Sequence, residues 1–340
     1  MEHGGNVWAG PSPKAWLDFS SNLRPDGIPD WVREILLSAI PFSRYYPDPL
    51  MRAARDGLAQ YAQVSPDCIL PTAGGTSAID LVMRLFSGRS LFLPPHSFSE
   101  YETRALTNGL IVRSPDSMEI KDGLLSYIPG NLAPGDLMLL CNPHNPTGDV
   151  IDRDTVLQLH KHLSHLDTRL IVDEAFIDFC PENSVRSEVS DSLIVVGSLT
   201  KTLCIPGIRL GYICAAPSMI EALSKLQLTW EVSIPAQFIA MHAGDHLAQI
   251  EADRQKNDLR REQLVKLLRP FCEIRPSHAN FLLCDFHRDT TDLKAKLKAK
   301  QILVRSCTSF GLSTAMLRIA VRTEAENEHL AMAIADCLSQ

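Results

Sequence analysis

The amino-acid sequence predicts an α/β protein with a largely parallel central sheet, helices on both faces, and a smaller α+β domain. Apolar runs without polar alternation recur through the middle of the chain, as is typical of strands buried on both faces. Helix-like stretches such as residues 77–86 and 155–163 separate several of these runs, an alternation that favours a parallel sheet covered on both sides. The runs are residues 68–70, 90–93, 110–112, 137–141, 169–172, 193–196 and 212–214.

A change of pattern after Pro235 predicts the second domain. Residues 236–268 have helical periodicity without an internal proline, and Pro270 ends it. Short strands at 281–283, 302–304 and 317–319 then alternate with helices at 291–300 and 324–338. The 340 residues fit two domains. We expect an arm at 1–40 that packs on the small domain, a large domain at 41–235, and a small domain at 236–340.

Composition excludes several classes of protein. The net charge of −7 provides no polycationic surface for bulk binding to nucleic acid or anionic lipid. The nine cysteines stand singly, without a C-x-x-C pair, which predicts reduced thiols and no metal site. The first residues lack the pattern of a signal peptide, and no apolar run reaches the roughly 20 residues of a membrane span. We therefore expect a cytoplasmic protein.

The segment 198–212 carries the most chemical information. Lys201 follows a predicted buried strand, where loss of solvation lowers the pKa of an amine and makes it a nucleophile able to form a Schiff base. Ser198 and Arg209 together suit a phosphate, which arginine binds through paired, charge-assisted hydrogen bonds. The alternative is a loop lysine with an ordinary surface arginine.

Three further segments place polar groups at ends of predicted strands, where α/β proteins bind ligands. Asp173 ends the strand at 169–172, and its carboxylate needs a partner, such as a protonated ring nitrogen or another ion-pair or capping group. Asn145 lies in a segment rich in Asn-Pro pairs (141–148) that holds its amide toward the same crevice. Gly75 and Thr76 begin a helix directly after a strand, where backbone N–H groups and the Thr76 hydroxyl can bind an anion. The alternative is an ordinary glycine turn.

Together these segments resemble the fold-type I pyridoxal-phosphate enzymes of the class I/II aminotransferase family. The resemblance rests on Asn-Pro-His-Asn-Pro-Thr-Gly at 142–148, Asp-Glu-Ala at 173–175, and Ser198 with Lys201, Arg209 and Gly211. It implies the aspartate aminotransferase fold and pyridoxal 5'-phosphate as cofactor. By position, Lys201 is then the Schiff-base lysine and proton shuttle, Asp173 pairs with the ring nitrogen, and Asn145 bonds the ring 3-hydroxyl. The same resemblance assigns the cofactor phosphate to Gly75, Thr76, Ser198 and Arg209.

The resemblance also implies a ring-stacking residue and a homodimer. Phe98 is the expected stacking aromatic, with a core phenylalanine as the alternative. Tyr46, in Tyr-Pro-Asp-Pro at 46–49, is expected to reach the cofactor phosphate of the neighbouring subunit. Two departures stand out, because the family usually has tyrosine at the place of Phe176 and an acidic residue at the place of Ser77.

Two branches of the family fit the remaining motifs. The amino-terminal segments 2–8 and 17–22 resemble threonine-phosphate decarboxylases, whereas Tyr-Pro-Asp-Pro and residues 317–321 also occur in histidinol-phosphate aminotransferases. We expect decarboxylation of a phosphorylated amino acid, and L-threonine O-3-phosphate is the expected substrate. Serine phosphate and a phosphonate analogue are alternative substrates. The aminotransferase, acting with 2-oxoglutarate, is the alternative. Arg318 is expected to bind the substrate carboxylate, with Asn22 at the same end of the substrate. The expected phosphate ligands are His3, Arg305 and Arg322. The alternatives are a disordered terminus for His3 and surface ion pairs for the two arginines.

Overall fold

The computed structural model describes residues 4–10, 12–114, 117–121, 124–128 and 132–339, with 117–121 and 124–128 described by their backbone alone. Within these ranges the helices are α1 (Asp30–Ala39), α2 (Arg52–Ala62), α3 (Gly75–Leu85), α4 (Ser99–Thr107), α5 (Arg153–His165), α6 (Pro217–Leu226), α7 (Ile234–His242), α8 (Leu247–Leu268), α9 (Thr291–Ala299) and α10 (Glu324–Ser339). The strands are β1 (Leu17–Asp18), β2 (Ile69–Thr72), β3 (Ser90–Phe92), β4 (Ile111–Arg113), β5 (Ser117–Lys121), β6 (Leu124–Ile128), β7 (Leu137–Cys141), β8 (Arg169–Asp173), β9 (Leu193–Ser198), β10 (Gly211–Cys214), β11 (Glu273–Ile274), β12 (Phe281–Asp285), β13 (Ile302–Leu303), β14 (Arg305–Ser306) and β15 (Met316–Ala320).

The central sheet has seven strands in the order β2-β10-β9-β8-β7-β3-β4. The neighbouring pairs from β9 to β4 are parallel, and β10 runs antiparallel to both of its neighbours. All seven predicted apolar runs are strands of this sheet, so the predicted fold class is confirmed. One expectation was wrong: β4 is not buried on both faces, because it is the edge strand, and Ile111 is 54% exposed.

The register of the sheet brings the predicted motifs to one edge. Cys141, the last residue of β7, pairs with Asp173, the last residue of β8, and Asp173 pairs with Val196 of β9. Because these strands are parallel, the segments that follow them leave the sheet on the same side. The loop of Asn145, the carboxylate of Asp173 and the turn of Lys201 are therefore neighbours.

The second part of the chain forms a four-stranded antiparallel sheet, β11-β12-β15-β14, with α8, α9 and α10. The predicted strands at 281–283 and 317–319 are β12 and β15 of this sheet. The predicted strand at 302–304 is β13, which pairs instead with β1 of the arm, Leu17 opposite Ile302. The arm thus reaches the small domain through strand pairing.

The continuous helix expected at 236–268 is divided, and that expectation was wrong. A 3₁₀ turn, Ala243–His246, separates α7 from α8. At Gly244 a Cβ atom would lie 2.5 Å from Cγ of Gln60 in α2, so the chain passes too close to α2 there for a side chain.

Of the hydrophobic clusters in the described residues, the two largest pack on the seven-stranded and the four-stranded sheets, and they do not change over at residue 235. Ala236, Ile239 and Ile250 pack in the core of the seven-stranded sheet, and Leu264 in the core of the four-stranded sheet. We propose that the domain boundary lies within α8. Phe19 belongs to the second core, whereas α1 packs on the first core through Val32, so the arm expected to contact the small domain is shared between the two.

Candidate active site

A pocket opens at the carboxyl edge of the central sheet, between the two cores. The ends of β7, β8 and β9, the start of α3, the arm and β15 contribute its walls. Ten of the residues singled out in the sequence line it: Asn22, Gly75, Thr76, Phe98, Asn145, Asp173, Ser198, Lys201, Arg209 and Arg318. Their roles stay predictions, but the structure brings their side chains to one cavity.

Lys201 lies in the turn that follows β9. Its carbonyl oxygen accepts a hydrogen bond of 3.0 Å from the backbone N–H of Arg24, which ties the turn to the arm. Burial, and then the positive charges of Arg318 and Arg209, lower the pKa of Lys201 to about 8, while Asp173 opposes this shift. A substantial fraction of the amine is therefore unprotonated slightly above neutral pH, as a nucleophile requires.

Asp173 is held at both carboxylate oxygens. Its Oδ1 accepts from the backbone N–H of Ala175 at 2.9 Å, and its Oδ2 accepts from the hydroxyl of Tyr101 at 2.6 Å. Burial raises the pKa of Asp173, and these two hydrogen bonds together with the charge of Lys201 counteract it. The arrangement favours an ionised carboxylate that faces the pocket in one orientation.

Tyr101 is a pocket residue that the sequence reasoning missed. It lies in α4, three residues after Phe98, and both side chains line the pocket. Residues three apart share a helix face, so this spacing was the available signal. The two rings meet edge to face, with centroids 5.5 Å apart. Phe98 also packs beside Phe310 of the second domain, so its stacking role and its core role are compatible.

The start of α3 forms a close-packed cradle for an anion. Gly74 has φ +90°, and a Cβ atom there would lie 2.5 Å from the guanidinium of Arg209. At Gly75 a Cβ atom would lie 3.3 Å from Cβ of Ser198, whose hydroxyl lies 2.8 Å from that of Thr200. The glycines thus admit an arginine and two hydroxyls beside the N–H groups of a helix start, a donor set that suits a phosphate.

Arg318 of β15 forms the opposite wall. Its Nη1 donates to Oδ1 of Asn145 at 2.6 Å, and its Nη2 donates to the carbonyl oxygen of Ser20 at 2.8 Å. Burial lowers the pKa of Arg318 to about 10, which still leaves it charged at neutral pH. Since Oδ1 of Asn145 is used as an acceptor, its amide nitrogen is the group left to donate to a ligand.

Three other predicted residues do not line this pocket. Arg305 lies opposite Arg318 in the β14–β15 pair and donates to Ser309 Oγ at 2.6 Å. Arg322 forms an ion pair of 2.9 Å with Glu326 through its Nη2. Tyr46 is exposed on the surface, where its ring stacks on Trp230 at 4.5 Å. His3 lies outside the described residues.

The two departures from the family pattern have local explanations. Phe176 is buried and packs edge to face on Phe281, centroids 5.1 Å apart, so it contributes an apolar wall to the pocket. The hydroxyl of Ser77 donates to Oε1 of Glu231 at 3.0 Å. A distant glutamate therefore supplies a carboxylate beside the first turn of α3.

Comparison with known proteins identifies the family of this chain. The sequence profile of aminotransferase class I and II matches residues 14–334. The threonine-phosphate decarboxylase of Salmonella typhimurium is 31% identical, over 99% of this chain and 96% of that protein. The chloroplastic histidinol-phosphate aminotransferase of Nicotiana plumbaginifolia is also 31% identical, over 88% of this chain and 74% of that protein.

Solved structures agree with this similarity. The crystal structure of L-threonine-O-3-phosphate decarboxylase from Porphyromonas gingivalis has a TM-score of 0.81 and 26% identity, covering 95% of this chain and 99% of the other. The fold is that of aspartate aminotransferase. The buried amine, the opposed carboxylate and the phosphate cradle of one pocket match the three ends of pyridoxal phosphate. The family profile spans residues 14–334, which include these pocket residues, so the chain belongs to the class I and II aminotransferases, and its cofactor is pyridoxal 5'-phosphate.

Proposed function

We propose that this protein decarboxylates a phosphorylated amino acid, and that its substrate is L-threonine O-3-phosphate, giving (R)-1-aminopropan-2-yl phosphate for cobalamin biosynthesis. The observation that carries the proposal is the amino-terminal arm. It contributes Gly4, Ser20, Ser21 and Asn22 to the pocket wall, and Ser20 contacts Arg318. The similarity to the Salmonella typhimurium threonine-phosphate decarboxylase extends over 99% of the chain and so includes this arm.

In this proposal, Asp173 and Lys201 have different roles toward the cofactor. When bound, pyridoxal phosphate accepts electrons from a bond broken at the substrate's α-carbon. Asp173, ionised and held by Tyr101, would face the ring nitrogen and keep it protonated. The Nζ of Lys201 would anchor the cofactor and later return a proton to the α-carbon, a role that suits a pKa of about 8.

The substrate's carboxylate and phosphate must be held so that the α-carboxylate bond breaks instead of the α-hydrogen bond. Arg318 would bind the carboxylate with its charged guanidinium, with Asn22 beside it. Arg305 and Arg322 remain the expected phosphate ligands, together with His3. Arg305 does not line the pocket but lies opposite Arg318 in the β14–β15 pair, beside the expected carboxylate ligand.

The aminotransferase alternative rests on its own observation. The chloroplastic histidinol-phosphate aminotransferase of Nicotiana plumbaginifolia has the same identity to this chain, 31%, as the decarboxylase. The pocket residues named above serve either reaction, because the same cofactor can withdraw electrons from either bond. Serine phosphate differs from threonine phosphate by one methyl group, which an apolar pocket distinguishes by only about 1–3 kcal/mol.

A product assay tests the proposal. The purified protein, with pyridoxal phosphate and threonine phosphate but no oxo acid, should release carbon dioxide and form aminopropanol phosphate, detected by mass spectrometry. A parallel reaction with serine phosphate compares the two substrates and shows whether the enzyme prefers the additional methyl group of threonine phosphate. An unchanged substrate in this assay, with amino transfer from histidinol phosphate to 2-oxoglutarate, would contradict decarboxylation and establish the alternative.

We further propose that the protein acts as a homodimer in which Tyr46 reaches the neighbouring subunit's cofactor phosphate. Large apolar side chains are exposed around Tyr46, an arrangement that marks association surfaces. These side chains are Ile40, Phe42, Tyr45, Leu50 and Trp230. Light scattering after gel filtration should give twice the mass of the chain.

A further inference from the structure

A buried carboxylate, Asp178, is bonded to the residue that follows Lys201. Asp178 lies in a 3₁₀ turn, Ile177–Phe179, five residues after Asp173. Its Oδ2 accepts a hydrogen bond of 2.6 Å from Oγ1 of Thr202, and both side chains are buried. The 3₁₀ turn that follows β8 and the turn that carries Lys201 are thus joined directly by a hydrogen bond between their side chains.

Asp178 is itself held in place. The hydroxyl of Tyr61, in α2, lies 2.6 Å from each of its carboxylate oxygens. Nη1 of Arg186 lies 3.9 Å from Oδ1, and this guanidinium lies over the Tyr61 ring, 4.9 Å from its centroid. Burial of a carboxylate is costly unless it is paired and hydrogen-bonded, and these partners satisfy that requirement. A satisfied network of this kind is rigid and makes Asp178 a fixed point.

The effect of Asp178 on Lys201 is one of position. The charges that shift the pKa of Lys201 are those of Arg318, Arg209 and Asp173. The backbone of Lys201 is bonded to Arg24 of the arm through its carbonyl, and the Thr202 hydroxyl provides a second attachment, to the 3₁₀ turn that follows β8. An amine displaced by about 1 Å loses on the order of a hundredfold in rate, so such an attachment has a large effect on reactivity.

We propose that Asp178 is a positioning residue, which holds the Lys201 turn through the hydroxyl of Thr202 so that the amine meets the cofactor aldehyde. The inference rests on the proposed role of Lys201 as the cofactor-binding lysine. It is independent of whether the enzyme decarboxylates or transfers an amino group.

The test measures capture of the cofactor, not turnover. The full chain freed of cofactor is mixed with pyridoxal phosphate, and the rate of attachment is followed by stopped-flow absorbance. Attachment forms a carbon–nitrogen bond between Nζ of Lys201 and the aldehyde and releases one water. Borohydride reduction and peptide mass spectrometry then identify the modified lysine. For Thr202→Val, which removes the hydroxyl at nearly constant volume, we expect capture to slow about 10- to 100-fold.

Two variants separate positioning from general loss of stability. Thr202→Ser keeps the hydroxyl and should restore the rate to within about threefold of the parent, since it keeps the bond to Asp178. Thr290→Val removes a buried hydroxyl that donates to the carbonyl of Thr314 at 2.6 Å, in the small domain, and should leave the rate unchanged. If Thr202→Val lacks a cooperative thermal transition, Thr202→Ala replaces it, because it removes the same hydroxyl without placing a second methyl beside Asp178.

Each result decides the proposal. Slow capture in the valine variant, with recovery in the serine variant, supports it. Capture at the parent rate in the valine variant, or equal slowing by Thr290→Val, would overturn it. Modification of a lysine other than Lys201 in the parent protein would instead contradict the assignment of the cofactor lysine, on which the proposed function rests.

Discussion

The hydrogen bond between Tyr101 and Asp173 permits a quantitative prediction for Tyr101→Phe. The change deletes only the hydroxyl, whose 2.6 Å bond is one of two made to the Asp173 carboxylate. Hydrogen bonds to a charged group contribute about 1.5–3 kcal/mol. Burial already raises the pKa of Asp173, and loss of this donor to its ionised form should raise that pKa further.

The expected result is weaker cofactor binding that depends on pH. The Tyr101 hydroxyl stabilises the ionised carboxylate that would pair with the ring nitrogen, so losing its contribution of about 1.5–3 kcal/mol should increase the dissociation constant of pyridoxal phosphate about 10- to 100-fold. The deficit should grow as pH falls from 8 to 6, because protonation of Asp173 is favoured at low pH. Absorbance titration of the cofactor-free protein at several pH values measures both effects.

Thr290→Val is the control. It also removes a buried hydroxyl that donates a hydrogen bond of 2.6 Å, here to the carbonyl oxygen of Thr314, and Thr290 does not line the pocket. This control should lower the melting temperature without changing the dissociation constant. A Tyr101→Phe variant that binds the cofactor within twofold of the parent at every pH would refute the reasoning about Asp173.

Three other predictions follow from the site and the surface. Arg318→Lys should raise the KM for the phosphorylated amino acid about 10- to 100-fold, since a lysine cannot span Asn145, Ser20 and a carboxylate; an unchanged KM in steady-state assays would exclude carboxylate binding by Arg318. Cofactor capture by Lys201 should accelerate about tenfold per pH unit below pH 8 and level off above it, because only the unprotonated amine reacts; a stopped-flow profile flat from pH 6 to 9 would contradict this. Trp230→Glu places a charge in the exposed aromatic pair with Tyr46 and should shift the protein from dimer to monomer in sedimentation velocity experiments, whereas an unaltered dimer would place the interface elsewhere.

The residues that the sequence located best are those whose pattern is local. Asp173 and Asn145 follow apolar strands, and Lys201 follows a third strand in a turn rich in hydroxyl groups. A parallel sheet aligns the ends of its strands, so local position along the chain was enough to predict that these groups share a pocket. Arg318 is also at the pocket, although it comes from the small domain.

Tyr101, Asp178 and Glu231 were not found because their roles depend on distant partners. Tyr101 meets Asp173 across 72 residues, Asp178 meets Tyr61 across 117, and Glu231 meets Ser77 across 154. The spacing from Phe98 could have placed Tyr101 at the pocket, but nothing local in the sequence shows which distant group a tyrosine or carboxylate contacts. Arg322 shows the converse, since a local pairing with Glu326 at i,i+4 competes with the distant role expected for it.

The sequence by itself predicted the class of fold from its apolar runs, and its motifs showed a resemblance to a family that implies pyridoxal phosphate as cofactor. Apolar runs and the motifs around Lys201, Asp173 and Asn145 are properties of short segments, so they can be recognised in the sequence without knowledge of the tertiary structure. Only the tertiary structure decided where the two cores divide. Helix α7 packs on α2, which lies far from it in the sequence, and hydrophobic periodicity does not show which distant element a helix packs on. It also decided which carboxylates are buried and what holds them, since burial and pairing depend on elements that are distant in the sequence.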